Sequence, residues 1–120
     1  MIELLIALQI KHFLADYPLQ YPYHYLNKGT YGHLGGVHHA LVHGTLTLAV
    51  LLLLAPVGLL MAIGIALAET IAHYHIDWAK VKINDFYGWK SHTSEKFWTL
   101  LGFDQLLHQL CYVAILAWAY

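Results

Sequence analysis

HHALVHGTLTLAVLLLLAPVGLLMAIGIALAETIAHYHID, residues 38–77, decides how this chain folds. Between Lys28 and Glu69 there is no Asp, Glu, Lys or Arg. A helix needs roughly 20 apolar residues to cross the hydrocarbon core. The uncharged stretch is too long for one span and long enough for two. Pro56-Val57-Gly58 punctuates it near the middle, which suits a tight helical hairpin. His39 and His43 stand near its start, and His73 with Asp77 near its end. A hairpin brings those two ends to the same side.

Composition agrees with a membrane protein. The 120 residues are 59% hydrophobic and 11% charged, whereas roughly a quarter of a soluble domain is charged. We read residues 1–120 as a single integral membrane domain that crosses several times. A net charge of −1, with no arginine and no basic patch, gives nucleic acid nothing to bind. The lone Cys111 has no partner for an internal disulfide and reads as a packed small hydrophobe. The opening MIELLIALQIKHFLADYP lacks a basic segment before its apolar run and a small-residue cleavage site. It is expected to be a mature helix, not a signal peptide.

The spacing predicts four helices. The first covers Ile2 to Asp16 and stops before Pro18, because the residue preceding a proline is pushed out of the helical region. It is short for a span, so it is tilted or only partly inserted. A connection from Pro18 to Gly36 follows. Tyr17, Tyr21, Tyr23, Tyr25 and Tyr31, together with the tryptophans, suit an aromatic belt at a headgroup boundary. The second helix is predicted over Val37–Ala55 and the third over Val57–Lys82. A polar loop with Gly88 spans Ile83–Ser94. The fourth helix runs from Glu95 to the end, capped by Thr93 or Ser94. The expected fold is all-α, a four-helix up-down transmembrane bundle with a short first helix.

Each predicted helix carries one pair of metal-capable residues four apart: His12/Asp16, His39/His43, His73/Asp77 and Asp104/His108. Residues at that spacing share a helix face. With alternating helix direction, all four pairs fall on one side of the membrane. The six lysines fall there too, and only Glu3 is charged on the other side. The positive-inside rule then puts the pairs at the cytoplasmic face of an inner membrane, with both termini outside.

Five histidines and three aspartates are ligand types for zinc, iron or manganese. Eight donors exceed what one tetrahedral ion takes and suit two divalent ions. A dimetal site implies hydrolysis, with a metal-coordinated water as nucleophile. Lys28 and Lys80 would attract a phosphate. Gln20, Gln105 and Asn27 would support the ligands or touch substrate. Glu69, one turn before His73, is either a further ligand, a proton acceptor or a buried carboxyl facing a polar neighbour. Any single His/Asp pair is most often a local hydrogen bond, and Asp77 has Lys80 three residues away as a competing ion-pair partner. The metal reading rests on four pairs sharing one side. His24, His33 and His92 are expected to be solvated loop residues, and His38 and His75 to point away from the site.

The stretches KHFLADYPLQ (11–20), HHALVH (38–43), HYHIDWAK (73–80) and LGFDQLLHQL (101–110) resemble a family of small bacterial and phage membrane proteins catalogued as a domain of unknown function. The resemblance covers nearly the whole chain. Its recurring elements fall here on His12, Asp16, Gln20, Lys28, His39, His43, His73, Asp77, Lys80, Asp104, Gln105 and His108. The pattern is also loosely similar to membrane-bound metal-dependent hydrolases of bacteria. Residues 21–39 are richer in His and Tyr than the family pattern. The expected function is a membrane-embedded, metal-dependent dinuclear hydrolase acting at the cytoplasmic leaflet on a lipid or lipid-linked phosphate. The competing readings are a metal-ion or proton transporter, a redox protein, and a metal-stapled structural bundle. Membrane lipid is the expected surrounding, and a homo-oligomer is compatible with each reading.

Overall fold

The computed structural model describes Met1–Tyr120 as five helices with no strand. They are α1 (Ile2–Asp16), α2 (Pro22–Tyr25), α3 (Leu34–Leu54), α4 (Leu59–Tyr87) and α5 (Glu95–Ala119). α3, α4 and α5 are long and apolar enough to cross a membrane. α1, with 15 residues, reaches only about 22 Å at 1.5 Å per residue, short of a core about 30 Å thick.

Apart from shifts of one and two residues at the Pro56 turn, three features differ from expectation, each for a local reason. Pro22–Tyr25 is a fifth, short helix inside the expected connection. Pro22 supplies a pre-set φ at the first helical position, and the Tyr21 N–H donates to His24 Nδ1 at 3.1 Å. α3 starts at Leu34 rather than Val37, with the His33 side chain accepting from the Gly35 N–H at 3.0 Å. Gly35 and Gly36 are here for close approach, not to break a helix. A Cβ on Gly35 would meet the Tyr23 carbonyl, and one on Gly36 would lie 3.2 Å from Lys28 Cα. α4 runs on through Ile83–Tyr87, because polar residues do not by themselves end a helix. Gly88 ends it, at φ 66° with its N–H bonded to the Asn84 carbonyl at 2.8 Å. Ser94 does occupy the N-cap position of α5, but its side chain makes no capping bond.

α3 packs against α1, α2 and α4, α4 packs against α5, and α5 returns to α1. α3 and α4 cross closely at Gly44, where a Cβ would collide with Thr70 Oγ1. Small residues let membrane helices approach in this way. At one end of the molecule the Met1 amino group donates to Tyr120 Oη at 3.1 Å, and Tyr120 Oη donates to the Leu54 carbonyl at 3.3 Å. The apolar core lies toward that end: Leu4, Leu8, Leu51, Ala62, Ile65 and Ile115, with Tyr112 and Ala119. The histidine pairs converge at the other end.

Candidate metal centre

α1, α3, α4 and α5 each carry a row of residues four apart facing the interior. The rows are Leu8, His12, Asp16 on α1; His39, His43, Thr47 on α3; Glu69, His73, Asp77 on α4; and Asp104, His108, Tyr112 on α5. All are buried except Asp16, which is partly so. All eight proposed ligand residues therefore meet in one place, as the spacing predicts.

All five imidazoles turn Nε2 toward a carboxylate. Asp16 Oδ1 lies 3.3 Å from His39 Nε2 and 3.0 Å from His43 Nε2, and its Oδ2 lies 3.0 Å from His12 Nε2. Asp77 Oδ2 lies 3.3 Å from His39 Nε2 and 3.5 Å from His73 Nε2, and its Oδ1 lies 3.4 Å from His108 Nε2. Asp104 Oδ1 lies 3.4 Å from His108 Nε2. Two groups have ligand atoms all within 4.8 Å of one another: Asp16, His39, His43 and His73; and His73, Asp77 and His108. His12 and Asp104 flank these groups.

The separations fit a metal ion. Nitrogens about 2.0–2.1 Å from a tetrahedral zinc lie about 3.3 Å from one another. His39 Nε2 and His73 Nε2 are 3.3 Å apart. Without an ion, that contact joins two imidazoles through one proton at most. Asp104 Oδ1, buried beside His108, also has no hydrogen-bond partner. Buried polar groups are rarely left so. These buried His/Asp groups could hold a metal ion.

The surrounding residues set orientation and charge. Tyr112 Oη lies 2.7 Å from His12 Nδ1, and Gln105 Oε1 lies 3.0 Å from His12 Nε2. Gln105 Nε2 donates to Asp104 Oδ2 at 3.2 Å, so one amide touches both flanking residues. Lys28 Nζ donates to Asp77 Oδ2 at 2.8 Å. Asp77 thus pairs with Lys28 on the connection and not with Lys80 three residues along, which lies 4.0 Å from Asp104. The Gln20 amide donates to the Asp16 carbonyl. Asp16, Gln20, Lys28, Asp77, Lys80 and Gln105 line a polar opening of about 120 Å³.

Some expectations change. Asn27 does not reach the centre; its amide donates to the Tyr23 carbonyl at 2.8 Å. Glu69 is outside both ligand groups and pairs with Lys11, Oε1 to Nζ 2.6 Å, with both side chains buried. His24 is buried rather than solvated, because α2 folds back onto α3. Its Nδ1 accepts from Tyr21, and its Nε2 lies 2.7 Å from Nδ1 of the exposed His38. Burial, then the neighbouring His38, His39 and Lys28, pull the His24 pKa below the usual histidine value. His92 is exposed, as expected.

Lys11 and Tyr112 are the residues the sequence reading passed over. Lys11 contacts His43 twice, Nζ to Nδ1 and Nζ to the carbonyl, each at 3.4 Å. Both had a signal. Lys11 is a charge inside an apolar helix, and Tyr112 extends the Asp104, His108 row by one more step of four.

The chain belongs to a family described as protein of unknown function (DUF3307), which matches residues 4–120. No curated protein and no solved structure matches it.

Proposed function

We propose that this is a membrane-embedded, metal-dependent hydrolase of a lipid or lipid-linked phosphate, built as an up-down bundle of the four long helices. The observation that carries this reading is a double ligand cluster beside a polar opening with two lysines. One neutral imidazole nitrogen offers one lone pair, so His73 cannot serve both groups at once. The 3.3 Å separation of the His39 and His73 Nε2 atoms keeps His73 with Asp16, His39 and His43, with His12 beside Asp16. Asp77, His108 and the flanking Asp104 form the other set. The first has the four donors a tetrahedral zinc takes, and the second has three and leaves a position for water. Iron and manganese accept the same donor types.

Two divalent ions held there would lower the pKa of a bound water toward neutrality and clamp an oxygen of the substrate. The chain's own groups do the rest. Lys28 and Lys80 at the opening attract a phosphoryl group and offset its charge. Tyr112 holds His12 in place through Nδ1. Lys11 as an ammonium only donates, so His43 accepts at Nδ1 and carries its proton on Nε2 toward Asp16. An ion held at that Nε2 would need the proton on Nδ1, which would then no longer accept from Lys11 and would leave its ammonium to Glu69, 2.6 Å away. The clustering of lysines on the site side supports a cytoplasmic-leaflet site with both termini outside.

Metal content by elemental mass spectrometry on detergent-purified protein tests the reading. Turnover of ethyl phosphate is measured on the same sample. About two equivalents of zinc, iron or manganese, with turnover, and loss of both in His39→Ala/Asp104→Ala, is the expected result. No metal after purification without chelator overturns it.

One observation favours transport as a second reading. The buried Lys11–Glu69 pair and Thr47 carry polar groups one turn deeper than the histidines. Below them Leu8, Leu51, Ile65 and Ile115 close the interior of the single chain. Metal-dependent ion flux into proteoliposomes, without phosphate-ester turnover, would move the assignment to a transporter.

A further inference from the structure

The polar opening continues sideways into an apolar groove. α4 and α5 leave a cavity of about 290 Å³ between them, open toward the surroundings of the helices. Its walls are Ile76, Ala79, Ile83, Leu100, Phe103 and Leu107. The small Ala79 makes the hollow, while Leu100 and Phe103 form one bank. Lys80 and Asp104 line both this groove and the polar opening. The two therefore meet at the Lys80–Asp104 pair, 4.0 Å apart, and a molecule occupying both would pass beside it.

We propose that the α4–α5 groove seats a single hydrocarbon chain whose phosphate head lies at Lys28 and Lys80. Three observations converge. The groove is mainly apolar, with His75 as a further polar residue on its lining, and it carries charge at Lys80 and Asp104, where it meets the opening. Lys28 and Lys80 stand there against Asp16, Asp77 and Asp104, so once the two divalent ions of the proposed reading offset the carboxylates, the opening takes an anionic head and not a cationic one. The volume also sets the stoichiometry. At roughly 30 Å³ for a water-sized group such as a methylene, the groove takes about ten methylenes, the head-proximal part of one chain. A second chain would lie outside it. The site reads an amphiphile laterally from the leaflet, and it prefers a single-chain phosphate monoester to a two-chain phospholipid. The head-binding half of this proposal rests on the hydrolase reading, but the groove itself does not.

The experiment is photolabelling of metal-loaded protein in detergent with dodecyl phosphate carrying a mid-chain diazirine. The labelled residues are mapped by mass spectrometry. A dodecyl trimethylammonium probe with the same diazirine serves as the cationic comparison. Ethyl phosphate turnover is followed separately. The expected result is label concentrated on Ile76, Ala79 and Leu107 with the phosphate probe alone, and lost from them in Ala79→Trp. Label on exposed Leu52 and Leu53 of α3, and the metal content, should stay unchanged in that variant. Even labelling of all outward-facing helices in the wild type overturns the groove, whatever the variant does. Equal labelling of the groove by both probes overturns the phosphate head. Groove labelling without ethyl phosphate turnover keeps the groove and removes the hydrolase. Turnover with even labelling does the reverse.

Discussion

The two ends of this molecule are held together by different physics. Where Met1, Leu54 and Tyr120 meet, the interior is Leu4, Leu8, Leu51, Ala62, Ile65 and Ile115. At the other end it is five histidines, three aspartates and Lys28. In lipid, apolar side chains gain little by leaving one apolar surrounding for another, so the first end relies on van der Waals fit. Polar groups cannot be satisfied by lipid at all, so at the second end they must satisfy one another or hold an ion. The apolar end should tolerate trimming. The polar end should fail when any shared partner is removed.

The largest effect should come from Asp77→Ala. It removes the carboxylate shared by His39, His73 and His108 and strands Lys28. Bound metal should vanish on elemental analysis. Stability in detergent should fall by more than the about 3–5 kcal/mol of one broken buried pair. A variant that keeps its metal would break the distinction between the ends.

Next is Lys11→Met, which leaves Glu69 buried without its cation. The expected cost is about 3–5 kcal/mol by denaturant titration in detergent. Lys11→Met/Glu69→Leu should recover most of that and retain metal. Recovery would make the pair a structural boundary between the ends. Metal loss in the double variant would move it into the polar centre.

Leu51→Ala at the apolar end should cost about 2 kcal/mol, near the bottom of the range for core leucines. The reason is that α1 and α4 can settle into the space through lipid-facing side chains. Its metal content should equal that of the wild type. Smallest of all is Ser94→Ala, since the side chain makes no capping bond. Its thermal midpoint should stay within the change produced by about 0.5 kcal/mol. A larger drop would mean that the start of α5 is held by that hydroxyl after all.

Much of the centre is legible in the sequence because helix periodicity is local. Steps of four put His39 above His43 and Asp104 above His108 whatever else the chain does. The alternation of helices around Pro56 then gathers the pairs. The same logic would have added Tyr112, which lies a further step along. Lys11 is different. It lies beside His12 on the helix, and nothing local says that its long side chain turns inward to Glu69, 58 residues away. Asp77 makes the point in reverse. The nearest lysine in sequence, Lys80, loses the aspartate to Lys28, 49 residues away.

The sequence alone determined an apolar, all-helical chain with its metal-capable residues paired at helical spacing and a break at Pro56. These follow from composition and from steps of 3.6 residues, which need no tertiary partner. The tertiary structure decided the rest: the burial of His24, the Lys28–Asp77 and Lys11–Glu69 pairings, and the lateral groove beside Ala79. Those depend on how far each helix sits from its neighbours and how it is rotated. Packing fixes both quantities, through contacts such as Gly35 on Tyr23 and Gly44 on Thr70, between residues distant in the chain.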